Sequence, residues 1–434
     1  MKKSKLLVTS LLLSGVLCLS SCTLFNDNDM NFTNTYNPPE SSTTPDPDAV
    51  IAEGVTATDL PSVKDEMTGE TYNVNSYYFK NIGYAQNGVI ENTYKTGGVN
   101  HVEYNVNGGE DYQGTRSSNN YDLYVPKTLN KANKHTVILF VHGGAWIGGF
   151  KTDVNQYVRE FASRGYITAT VKYTLLKKSM DNASLSIFRD LDELDACIAS
   201  IKRALTDLEF DTTKTNLVIG GASSGAHLSM LYAYSRGHRS PLPIRFVIDA
   251  VGPVDIKPDS WKAFVDNSDE VLEGGITDTA ISSQPTNLTE LQVSGESYGW
   301  NEYQTMRIAN GMCGIPYSLS EVEASANEAK TAIAHPTAAS NSMTQENGGE
   351  DQLSVTYWIN KGINNYRIIC AYAGKDSVVG IAQYARLEKA LNDQGIQKEF
   401  FYFKNADHME INKDKTNPSY IGFVNQIDAW GQEL

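Results

Sequence analysis

Four stretches of this chain are apolar through most of their length: "HTVILFVHGG" at 135–144, which ends in glycines, "NLVIGG" at 216–221, "RFVIDAVGPV" at 245–254 and "RIICAYAG" at 367–374. A strand that is apolar on both faces must be covered on both faces, which is the signature of a buried parallel sheet. Between these runs lie segments of helical spacing. The clearest is 186–208, with Ile187, Leu191, Leu194, Ile198, Ile201 and Leu205 on one side. "SGAHLSMLYAYSRG", 380–395 and the closing stretch to Leu434 also read as helices, and "SYYFKNIGYA", "YDLYVPK", 166–176 and 398–408 as further strands or strand-plus-loop segments. Alternation of this kind predicts an α/β fold, a doubly wound and mostly parallel sheet with helices on both faces. Functional groups in such folds collect beyond the carboxyl ends of the strands. "HGGAW", "GASSG", "GKD" and "NADH" all fall there.

Gly221-Ala222-Ser223-Ser224-Gly225 fits G-x-S-x-G between a strand and a helix. A nucleophilic serine must occupy a tight turn that lifts its Oγ above the sheet, with small neighbours so that backbones can approach. Gly/Ser turns also occur without chemistry, so the neighbouring motifs decide. His142-Gly143-Gly144-Ala145-Trp146 follows the strand "VILFV". Acyl transfer needs preorganised N–H donors for a tetrahedral oxyanion, each worth roughly 3–4 kcal/mol. Gly143, Gly144 and the N–H of Ser224 are the candidates.

The order HGG-x-W, G-x-S-x-G, late Asp, later His resembles the α/β-hydrolase fold. It is most similar to the esterase/lipase branch of hormone-sensitive-lipase-like carboxylesterases, acetyl-xylan or feruloyl esterases and kynurenine formamidases. "YDLYVP" and "VGPVD" are similar to stretches of that branch as well. The resemblance covers roughly 118–256 and 365–434. It implies a chain order Ser, Asp, His. Asp376 stands where the acid of that family stands, with Val379 in the family's apolar third position after it. An Asp there could also cap the helix that follows. Asp407 is the rival acid, its side chain expected to diverge from its neighbour His408. His408 is the one histidine downstream of Asp376 at a strand's end. His227 is expected to pack beneath the serine turn, and His335 falls in the insertion. Two departures are Met409, where the family often has Gly, and Ser224, where it has Ala or Gly. The implied reaction is ester cleavage through an acyl-enzyme on Ser223, His408 and Asp376, with no metal or organic cofactor. An amidase or formamidase on the same triad, and a silent binding protein on the same scaffold, remain open.

About 110 residues separate the strand near Val254 from that near Arg367, too many for a simple crossover. Residues 257–365 are therefore expected to be a cap or lid insertion, with plain surface elaboration and a protein-interaction module as the alternatives. The first 22 residues read as a lipoprotein signal. A basic start, "MKKSK", precedes a short apolar run and "LSSC", which resembles a lipobox ending at Cys22. Residues 23–50 read as a flexible tether, and 51–434 as the catalytic domain. These features predict a lipid on Cys22, attachment to a bacterial envelope membrane and a position outside the cytoplasm. The substrate expected there is a small-molecule or acylated-carbohydrate ester. A net charge of −15 argues against nucleic acid as a partner. Cys197, Cys313 and Cys370 are widely spaced, which argues against a zinc site. Cys197 and Cys370 are expected to be buried free thiols.

Overall fold

The computed structural model describes residues 51–84 apart from 52–53 and 66–68, and four short strands between 89 and 105. It also describes residues 119–175 apart from 147, residues 187–256, Met312, and residues 350–433 apart from 377. The expected signal segment and tether, Cys22, Cys313, His335 and most of the expected insertion lie outside the described residues.

Nine strands form one sheet. They are β1 (Thr58–Leu60), β2 (Ser76–Gly83), β3 (Asn120–Pro126), β4 (His135–Val141), β5 (Ile167–Val171), β6 (Thr215–Ala222), β7 (Ile244–Ala250), β8 (Arg367–Ala373) and β9 (Lys398–Phe403). Their order is β1-β2-β3-β5-β4-β6-β7-β8-β9. Every pair from β5 to β9 is parallel. The pairs β1–β2, β2–β3 and β3–β5 are antiparallel. This is the α/β-hydrolase architecture, with an antiparallel edge added at the amino-terminal side.

Side-chain alternation explains the unbroken apolar runs. Along β4, Val137, Leu139 and Val141 face one core, and Ile138 and Phe140 face the other. The first core holds α2 (Ile187–Asp207), α3 (Ser224–Arg236) and α5 (Ile381–Asp393), through residues such as Ile198, Leu231 and Leu387. The second holds α1 (Asn155–Ser163) and α6 (Pro418–Gln432), through Phe161, Phe423 and Trp430. Each fully buried side chain of this kind stabilises the fold by about 1.5–3 kcal/mol. The helix α6 starts where Pro418 occupies the first turn and Asn417 accepts the Ser419 N–H at 2.8 Å.

Two strands are shorter than their sequence pattern. Residues 166–176 read as one strand, yet β5 ends at Val171; Tyr173 then turns onto the loop after β4. Residues 245–254 likewise end as strand at Ala250, because Val251 takes φ 51° and donates its N–H to the Ala371 carbonyl at 2.8 Å. Residues 350–365, within the expected insertion, include a short helix α4 (Val355–Lys361). Its Val355 N–H bonds the Val254 carbonyl at 2.7 Å, and Ser354 Oγ accepts the Ile256 N–H at 2.8 Å. Cys197 and Cys370 are buried and free, as expected, and burial pushes both thiols well above their ordinary pKa.

Candidate active site

The sheet register lines up the candidate groups. Val141, Gly221, Asp249, Cys370 and Phe400 form one row across β4, β6, β7, β8 and β9. A few residues beyond that row come His142-Gly143, Ser223 and Asp376, and a longer turn leads to His408.

Ser223 sits between β6 and α3 with φ 55° and ψ −127°. This is a sparsely populated conformation for a side-chain-bearing residue, costing about 1–3 kcal/mol. The turn tolerates it because it is fixed on every side. The Ser223 N–H donates to the Ala250 carbonyl at 2.8 Å, and the Ser223 carbonyl accepts the His227 N–H at 3.1 Å. The two outer glycines of the motif are required by space. A Cβ on Gly221 would collide with the Gly225 backbone, and one on Gly225 with the Val141 carbonyl. Ser224 opens α3, where unbonded N–H groups and the helix dipole favour negative charge.

The loop after β4 is brought directly against this turn. A Cβ on Gly143 would lie 2.9 Å from the Ala222 carbonyl oxygen and 3.1 Å from Ser223 Cβ. Gly144, Ala145, Trp146 and Gly149 all have positive φ, and the Gly148 N–H closes the loop on the Gly144 carbonyl at 2.8 Å. The space beside Gly144 is therefore filled by Gly148, and the space beside Gly143 by Ala222 and Ser223. His142 is wholly buried and stacks on Tyr173 at 4.4 Å. Its Nδ1 donates to the Gly143 carbonyl at 2.8 Å, and burial lowers its pKa to about 4. His142 thus shapes the loop as a neutral residue. His227 packs beneath the turn as expected: its Nε2 donates to the Leu353 carbonyl at 2.8 Å, and its ring meets the edge of Trp146 at 5.2 Å. Burial lowers its pKa to about 4 as well.

Asp376 and His408 are also brought together, with Asp376 Oδ2 accepting from His408 Nδ1 at 2.7 Å. The other carboxylate oxygen, Oδ1, accepts the Val378 and Val379 N–H groups at 2.8 Å each. One oxygen of this buried side chain therefore meets the histidine and the other fixes the turn after β8; the helix that follows starts at Ile381 behind Gly380 with no side-chain cap, so Asp376 does not cap it. Asp407 is turned away, its Oδ1 accepting the Met409 N–H at 2.9 Å. With Nδ1 donating to a carboxylate, Nε2 of His408 is the ring nitrogen left to act as a base. Among the described residues, no cluster of three or more His, Cys, Asp or Glu could hold a metal ion.

Residues 121–290 match the BD-FAE family. A 148-residue stretch, 32% of this chain, is 28% identical to the non-reducing polyketide synthase adrD of Penicillium roqueforti, and spans only 6% of that protein's length. The chain is similar to a phosphonate-inhibited esterase B from Lactobacillus rhamnosis, with a TM-score of 0.48, 14% identity, and coverage of 83% of this chain and 87% of that one. It is also similar to the Thermogutta terrifontis esterase Est2, with a TM-score of 0.44, 15% identity, and coverage of 72% and 86%.

Two residues that border the loop after β4 carried no readable signal in the sequence. Tyr173, whose hydroxyl donates to the His142 carbonyl at 3.2 Å, lay inside what read as an ordinary strand. Lys151, in "GGFKTD", has no motif at all.

Proposed function

We propose that this chain is a serine hydrolase that cleaves carboxylic esters through an acyl-enzyme. The observation that carries the reading is the strained Ser223 turn with Gly143 packed against the serine Cβ; the Asp376–His408 pair adds the base and its orienter. In this mechanism Ser223 Oγ attacks the ester carbonyl carbon as His408 Nε2 takes its proton, a contribution of about 10²–10⁴-fold. Asp376 holds the imidazole tautomer and stabilises the imidazolium. The N–H groups of Gly143, Gly144 and Ser224 receive the oxyanion. His408 then returns the proton to the leaving alcohol oxygen, the C–O bond breaks, and the acyl group stays on Ser223. Water, deprotonated by the same histidine, attacks the acyl carbon and frees the acid.

The substrate is a small-molecule or acylated-carbohydrate ester met outside the cytoplasm by an enzyme held to the bacterial cell envelope through lipid on Cys22. Intact mass of the membrane-extracted protein tests the anchor. Cys22→Ala is expected to lose the lipid mass and to leave the membrane fraction. Hydrolysis of p-nitrophenyl acetate, butyrate and octanoate by a form lacking residues 1–22 tests the reaction. Turnover that vanishes in Ser223→Ala supports the serine mechanism, and the chain-length profile sizes the acyl site. Turnover retained in that variant overturns it, and cleavage of anilides but not esters moves the assignment to an amidase.

A further inference from the structure

A buried ammonium group stands just after the loop that carries Gly143. Lys151 follows the loop directly and is 8% exposed. Its Nζ donates to Asn81 Oδ1 at 2.6 Å, to Asp122 Oδ1 at 2.7 Å, and to Asn120 Oδ1. All three acceptors belong to β2 and β3, the antiparallel edge. They are themselves fixed. Asp122 Oδ2 accepts the Tyr78 hydroxyl at 3.0 Å, and Oδ1 also accepts the Asn81 N–H at 2.8 Å. Asn81 lies at φ 58° where the β2–β3 register shifts between Phe79 and Ile82. The bulge thus turns an asparagine side chain toward Lys151 that regular pairing would not.

The connection from Lys151 to Ser223 is short. Phe150 N–H is taken by Asp153 Oδ2 at 2.8 Å, which sets the entry into the 3₁₀ turn Lys151–Val154. Gly149, two residues before Lys151, is packed so tightly on the other arm of the loop that a Cβ there would collide with the Gly143 carbonyl and lie 2.7 Å from His142 Nδ1. A Cβ on Gly143 would in turn lie 3.1 Å from Ser223 Cβ. Four positive-φ residues in six positions make a loop that keeps its shape only where its surroundings over-determine it. Burial pulls the Lys151 pKa below its ordinary value, against the attraction of Asp122. Well-packed apolar residues commonly stabilise a core as well as a buried ion pair does, so what the pair adds here is direction.

We propose that Lys151, caged by Asn81, Asn120 and Asp122, is a positioning residue that holds the Gly143–Gly149 loop in its oxyanion-binding geometry. The latch rests on the serine-hydrolase reading. It touches no substrate and acts through the backbone of Gly149 and Gly143. Small misplacement of preorganised groups costs rate rather than ground-state binding, on the order of 10²-fold. The test is kcat and KM on p-nitrophenyl acetate, with the melting temperature of each variant measured alongside. Lys151→Met is expected to lower kcat about 10²-fold with KM nearly unchanged. Asn81→Gly keeps the left-handed backbone, deletes one acceptor, and is expected to lower kcat by about 10-fold; it decides the matter if Lys151→Met fails to fold. Wild-type kcat in folded Lys151→Met, or in Asn81→Gly when Lys151→Met is unfolded, overturns the latch. So does a rise in KM at constant kcat. Turnover that survives Ser223→Ala overturns the hydrolase reading and the latch with it.

Discussion

The parallel half of the sheet and its antiparallel edge do different work. Strands β6, β8 and β9 deliver Ser223, Asp376 and His408 at their carboxyl ends. Strands β2 and β3 deliver no candidate catalytic group, yet they hold the amino acids that cage Lys151. A buried ion pair occurs in each half. Arg236 of α3 pairs with Asp192 of α2 inside the parallel half, and Lys151 pairs with Asp122 at the edge. The first joins α2 to the last residue of α3, at the end of that helix remote from Ser224. The second directly follows the loop whose Gly143 leaves no room for a side chain beside the serine. A buried charge pair therefore has no single meaning: what lies at the far end of its backbone decides whether losing it costs stability or rate.

The largest expected effect lies in the parallel half. Ser223→Ala should lower kcat by about 10⁶-fold, as removal of a triad nucleophile does, with the melting temperature held, because the bonds that fix the turn are backbone bonds that the substitution keeps. Steady-state kinetics against an active-site titrant measures it. Gly143→Ala stands at the junction of the two halves. Its Cβ would press on Ala222 and Ser223, and kcat should fall by about 10²–10³-fold, the value of an oxyanion donor. Wild-type kcat in that variant would break the link between the loop and the serine.

Arg236→Met separates the two ion pairs. It leaves Asp192 buried with its charge partner gone, so unfolding in urea should show a loss of about 3–5 kcal/mol. The kcat of the folded fraction should not change. A kcat loss equal to that of Lys151→Met would erase the distinction drawn between the halves.

The smallest effect concerns Asp249 at the end of β7. The Tyr372 hydroxyl lies 2.7 Å from Asp249 Oδ2 and 2.6 Å from the Gly252 carbonyl. One phenolic proton cannot serve both acceptors, whereas a proton on Asp249 completes the chain: carboxyl to phenol, phenol to carbonyl. Burial pushes the Asp249 pKa up from 3.8 to about 7. The folded state therefore binds more protons than the unfolded state across that range. Its contribution is full below about pH 4 and is lost as the pH rises through about 7. Asp249→Asn should flatten that decline in a series of thermal melts; an unchanged slope would mean that Asp249 is ionised in the fold.

The same division governs what could be read from the sequence. Strands β4, β6, β7 and β8 are buried on both faces, so their composition alone marks them, and the glycines around Ser223 and Gly143 are local motifs. The edge is harder. Its bulge interrupts the period-two pattern of β2, and its key polar residues look like surface positions. Asp122 meets a lysine 29 residues away, a pairing no local pattern records. Tyr173 was hidden for a related reason, because "YITATVKYTLL" continues the apolar pattern past the point where the backbone leaves the sheet. The pairing of Asp376 with His408 was readable only through chain order, since 32 residues separate them.

The most direct measurement is covalent labelling with a fluorophosphonate probe followed by peptide mass mapping. The serine Oγ should displace fluoride and give one phosphonyl group per chain, on the peptide that contains Ser223, with labelling lost in Ser223→Ala and slowed in Lys151→Met. Ester turnover without labelling of Ser223, or labelling carried by another residue, would contradict the assignment of Ser223 as the nucleophile.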